Sequence, residues 1–132
     1  MEKLTNENYV DRAETVIKSL DNAKNERGYK IKIVTTSKIR NLLAMTADIY
    51  NEVKLLQQEK LSDDLKGKIS YLRLRCLYDA GRDKDESVKI FLQNSGILEL
   101  LSKISTKSEY ILFSHYMEAL IAWHKFCHKD DN

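Results

Sequence analysis

The chain has 132 residues and a mass of 15.4 kDa, which is one domain's worth of sequence and enough to bury a core without disulfide or metal staples. It contains no proline and only four glycines, which excludes collagen-like, proline-rich and turn-dense all-β architectures and leaves long helices. The formal net charge of +2, from 22 basic and 20 acidic side chains, is too close to balance to point to a partner by itself.

Residues 1–28 are mixed-charge and lack the apolar core of a signal peptide, so secretion is not expected. Apolar positions Tyr9, Val10, Ala13, Val16, Ile17 and Leu20 recur at three- and four-residue steps and predict a helix over about 6–26, with Gly28 as its stop. Tyr29–Val34 alternates polar and apolar but has no second strand pattern to pair with, so an extended connector is expected. Hydroxyls at Thr35, Thr36 and Ser37 can cap a helix over 36–58. Ser62 followed by Asp63 and Asp64 opens another over 62–81, closed by Gly81. Asp83-x-x-Glu86 reads as a capping box for a short helix over 84–93, and Asn94, Ser95 and Gly96 break it. A short helix over 97–105 follows. Thr106-x-x-Glu109 is a second capping box, for a helix over 107–127. The fold class is all-α: a single domain over 1–132, a bundle of five to six helices with short connections.

The charge is unevenly placed. Residues 29–82 hold eleven basic against six acidic side chains, a net +5, between flanks that are net acidic. Such a centre suits a polyanion. Within it, Lys68, Tyr71, Arg75, Tyr78 and Arg82 follow steps of three and four, an arc of about 80° at 100° per residue. A stripe alternating cation and phenol can pair with phosphates and stack on bases, or it can be a solvated face. Lys38 and Arg40 sit in a first helical turn, where cations oppose the helix dipole.

Motifs for chemistry are missing: there is no Gly-rich phosphate loop and no nucleophile elbow. Asp63-Asp64 reads as capping, and His115 as a packing residue. His124-x-x-Cys127-His128 offers three ligands at most, so no metal site and no cofactor are expected. Two cysteines, Cys76 and Cys127, make no disulfide framework, and a reducing, cytoplasmic compartment is expected. No run nears 18 uninterrupted apolar residues, so no membrane partner is expected. The last helix is apolar on most of its circumference, which means it is either central to the bundle or shared with a partner.

Three co-ordered stretches carry a resemblance: Thr36–Leu43, Tyr71–Arg82 and Phe113–His124. In order, spacing and chain length they resemble the small subunit of the type III-A CRISPR effector, the Csm complex, over about residues 35–127. The resemblance implies a non-catalytic helical subunit that stacks in several copies beside the backbone and large subunits. It also implies binding to the phosphate backbone of guide RNA and target RNA in antiviral defence, with cleavage left to other subunits. It carries over to Lys38, Arg40, Arg75 and Arg82. Local charge adds Lys68 and Arg73, and the stripe adds Tyr78. The alternative is a helical adaptor that docks a protein through the apolar C-terminal helix without touching RNA. A small enzyme using His115 or the His124 cluster is the weakest reading.

Overall fold

The computed structural model describes residues 3–128. Six α-helices follow in order: α1 Tyr9–Ser19, α2 Thr36–Val53, α3 Asp63–Arg82, α4 Ser87–Ser95, α5 Ile97–Lys103 and α6 Lys107–Cys127. No strand occurs among the described residues; two isolated antiparallel bridges join Lys24 to Lys30 and Lys60 to Thr106. The expected all-α bundle is the observed one.

Helix α6 packs against α1 and α2 and supplies much of the core. Tyr110, Phe113, Tyr116, Met117 and Leu120 are buried there with Ile17, Ile39 and Phe91. The two buried phenols are satisfied: Tyr110 donates to the Thr46 carbonyl (2.8 Å) and Tyr116 to the Ser95 carbonyl (2.7 Å). Burial pushes the Tyr110 hydroxyl above its ordinary pKa, so it stays protonated in that role.

Three caps form as expected. Thr35 accepts from the Lys38 N–H and Ser62 from the Leu65 N–H, and Thr106 and Glu109 make the full reciprocal box. Several boundaries differ. Helix α1 stops at Ser19 and tightens into a 3-10 turn over Leu20–Asn22, because Asn25 uses its side chain to hold a turn instead. Gly28 is therefore not a helix stop but the left-handed position of that turn, at φ +85°. Helix α2 ends at Val53 rather than near 58, because the backbone beyond it is taken by other partners. Lys107 donates to the Leu56 carbonyl, and residues 59–61 pair with 105–107 through Leu61 N–H to Ser105 O (3.1 Å) and Lys107 N–H to Glu59 O (2.7 Å).

Gly81 does not stop α3, which runs on through Arg82. The Asp83–Glu86 box does not form. Asp83 instead accepts from the Ser87 hydroxyl (2.7 Å) and the Val88 N–H (2.8 Å), α4 starts three residues later than expected, and Glu86 sits at φ +60°. Tyr29–Val34 is extended, with Ile31 and Val34 buried and Lys30 and Lys32 facing outward.

Candidate nucleic-acid interface

The two segments singled out by charge meet where the start of α2 crosses the end of α3. Lys38 and Arg82 line one cleft of about 230 Å³ with Asn41, Asp79, Asp83 and Lys84. Lys38 is half-buried and committed: its ammonium lies 2.8 Å from Asp83 and 3.8 Å from Asp85. Burial of Asp83 disfavours its charge. The hydrogen bonds from Lys38, Val88 N–H and Ser87, with the Lys38 charge, outweigh that and hold the carboxyl well below the usual carboxylate range. Lys38 is thus first a brace between α2 and the α3–α4 junction.

Arg40 is exposed and lies 200° round the helix from Lys38, with buried Ile39 between them. It makes no ion pair among the described residues.

The α3 stripe divides in two. At its N-terminal half Lys68 is bound 2.8 Å from Glu52 and 3.6 Å from Asp64, and its pKa is raised chiefly by the Glu52 hydrogen bond. It lies in a groove of about 890 Å³ between α2 and α3 that also holds Asp48 and Asp63, so the local field there is acidic. At the C-terminal half, the Arg75 and Arg82 guanidiniums lie 5.6 and 5.8 Å from the centre of one ring, Tyr78, which is 58% exposed. Neither arginine has a carboxylate partner among the described residues. Guanidinium on an aromatic face keeps its N–H edge turned outward, so this pair is pre-oriented for bidentate anion contacts.

Arg73 is exposed but two residues from Arg75, hence on the other flank of the helix. Between the flanks Leu74 and Leu77 stand in solvent, an exposure that the sequence reading did not anticipate. Lys84 was also missed. It joins the cleft only because Asp83 is drawn toward Lys38, a tertiary effect without a local signal.

The residues weighed for other chemistry are engaged elsewhere. His124 is fully buried: Nε2–H donates to the Val34 carbonyl (2.6 Å), which can only accept, and Nδ1 faces the Thr36 hydroxyl (3.2 Å). Cys76 is buried, and desolvation pushes its thiol up to about 12, far from a reactive thiolate. His115 is half-buried beside Tyr9, ring centres 6.1 Å apart. No group of three His, Cys, Asp or Glu side chains is placed to hold a metal among the described residues. No helix there is long and apolar enough to cross a membrane.

The sequence as a whole has relatives among known proteins. A family model described as Csm2 Type III-A matches residues 8–130. The chain belongs to the Csm2 family of type III-A. It is 40% identical over 123 residues to the CRISPR system Cms protein Csm2 of Streptococcus thermophilus, covering 93% of each chain. It is 37% identical over 126 residues to the protein of the same name from Mycobacterium tuberculosis, covering 95% of each. A third relative with that name, from Enterococcus italicus, is 29% identical over 126 residues. The family suggested by the three sequence stretches is thus the family to which the chain belongs.

Proposed function

We propose that this Csm2 chain is a non-catalytic small subunit of a type III-A CRISPR ribonucleoprotein. In this reading it stacks in several copies and holds the phosphate backbone of guide and target RNA. The observation that carries it is the Arg75–Tyr78–Arg82 arrangement, two guanidiniums on one exposed ring, neither in an ion pair among the described residues. Arg40 adds a separate exposed cation, on the far side of α2 from Lys38. Lys38 and Lys68 contribute potential rather than free donors, since each already holds carboxylates. Recognition is by charge and backbone shape, with sequence left to base pairing.

The test is retention of RNA by the assembled complex across a salt series. The triple variant Arg40→Glu/Arg75→Glu/Arg82→Glu should lose RNA and flatten the log–log salt slope by about 2, at roughly 0.7 per phosphate contact. Helix content should stay the same, because all three side chains reach solvent. Unchanged retention and slope would sink this surface.

A protein-docking role is favoured by a separate observation. Tyr9, Val10, Ala119, Ala122, Trp123 and Phe126 line an open apolar groove of about 690 Å³ between α1 and α6, and Phe126 is 78% exposed. An unfilled apolar channel of that size on a small bundle suits the neighbouring subunits of the complex. Phe126→Ser should leave the fold intact and weaken assembly, measured by co-purification of the other subunits.

A further inference from the structure

The segment between α1 and α2 holds the most concentrated basic charge outside the interface described above. Between residues 24 and 32 there are four cations, Lys24, Arg27, Lys30 and Lys32, against one carboxylate, Glu26. None of the four makes an ion pair among the described residues. Glu26 and Glu86 share a small cleft with Lys24 and Lys89, beyond ion-pair distance.

The segment is an ordered hairpin. The Asn25 side-chain oxygen accepts from the N–H groups of Arg27 (2.9 Å) and Tyr29 (3.0 Å). Backbone bonds run from Asn25 N–H to Tyr29 O (2.9 Å), Gly28 N–H to Asn25 O (2.9 Å) and Ile31 N–H to Ala23 O (2.9 Å). Gly28 takes the left-handed position that closes the turn.

Two features of this hairpin do nothing for its own stability. Lys24 and Lys30 are the bridged pair, so two like charges stand directly opposite each other across the strands, an arrangement that costs stability. The Tyr29 ring is 68% exposed and has no aromatic or cation partner among the described residues. An anion between the lysines removes the repulsion, and an exposed ring next in sequence to Lys30 can stack a nucleobase while the cations take its phosphates. Buried Ile31 and Val34 anchor the extended segment that follows, leave Lys30 and Lys32 exposed, and lead directly into the basic first turn of α2.

We propose that the 24–32 hairpin is a second RNA contact, in which Tyr29 stacks on one unpaired base and the Lys24–Lys30 pair holds the adjoining phosphate. The inference rests on the reading that this chain handles RNA, but on a different surface.

The test uses the ribonucleoprotein with which the full chain co-purifies and a single-stranded, uridine-containing RNA as probe. Tyr29→Ala and Lys24→Ser/Lys30→Ser should each weaken RNA binding about tenfold, and Tyr29→Phe should bind like the parent. The lysine pair should also lower the salt slope by about 1.4, two contacts at 0.7 each. Thermal midpoints should be unchanged, or higher for the lysine pair, whose repulsion is gone. If Tyr29→Ala and the lysine pair bind RNA like the parent, the hairpin contact is overturned whatever the α3 variants do. If RNA affinity is kept but the chain leaves the complex, the hairpin is a protein contact and the proposal is again overturned. If the hairpin variants lose RNA while Arg40→Glu/Arg75→Glu/Arg82→Glu does not, the α3 surface fails and the hairpin stands.

Discussion

Asp83 is the side chain on which the end of α3 depends. It receives Lys38 from α2, Ser87 and the Val88 N–H from α4, and it is almost fully covered. Removing its cation leaves a buried carboxylate short of a partner, so Lys38→Met should cost about 1–3 kcal/mol in urea unfolding. A charge reversal at Lys38 would therefore mix unfolding with any loss of RNA, whereas Arg75 can be reversed without touching this brace. The acid limb follows from the same contact. The folded-state pKa of Asp83 is depressed, so on acidification the unfolded chain takes up the proton first. The stabilisation is whole above about pH 4 and is lost as pH falls through the folded value. Glu109, also depressed, acts with the same sign. Urea midpoints should fall between pH 5 and pH 2, and less steeply in Asp83→Asn. Three residues on, Glu86 holds a left-handed backbone at φ +60° with no side-chain cap bond. Asn or Gly tolerates that region better, so Glu86→Gly should raise stability by about 0.5–1 kcal/mol, read as a higher urea midpoint.

Helix α3 carries two glycines, Gly67 and Gly81, at ordinary helical positions where an added Cβ meets nothing within 4 Å. Neither is required by a turn, so Gly81→Ala should stabilise the helix by about 1 kcal/mol, checked by thermal unfolding. If the variant is destabilised instead, the end of α3 is held differently from the way described. Elements of this kind were largely legible in advance. Apolar spacing gave the long helices, cap and breaker residues placed the two short ones, and hydroxyls gave the caps at Thr35, Ser62 and Thr106. The misjudged boundaries fall where distant groups compete for local ones. Lys38 takes the Asp83 of the expected capping box, residues 105–107 take the backbone that would have prolonged α2, and Asn25 turns the chain before Gly28. The candidate site shows the same division. The Arg75–Tyr78–Arg82 alignment follows from a three- and four-residue rhythm and was legible. The neutralisation of Lys68 by Glu52, sixteen residues away on another helix, was not.

At the scale of the molecule the charged and apolar surfaces are separate. Cations gather on the hairpin, the first turn of α2 and the end of α3, and the open apolar channel runs between α1 and α6. The proposed RNA contacts and the apolar channel proposed for protein neighbours therefore use different parts of the molecule. The short pairing of residues 59–61 with 105–107 has a further consequence. It ties together the two ends of an excursion that contains α3, α4 and α5, while α1 and α2 each pack on α6 outside it. The chain is therefore a three-helix host with a three-helix guest inserted through a hydrogen-bonded neck. Closing the neck lowers the entropy of the guest's loop, which favours its opening as one cooperative unit. Native-state hydrogen exchange should then show α3–α5 amides sharing one opening free energy, below that of α6; a single isotherm for all six helices would refute it. The Arg75–Tyr78–Arg82 face belongs to the guest, so in the proposed function an opening of α3–α5 would move that face relative to α1, α2 and α6.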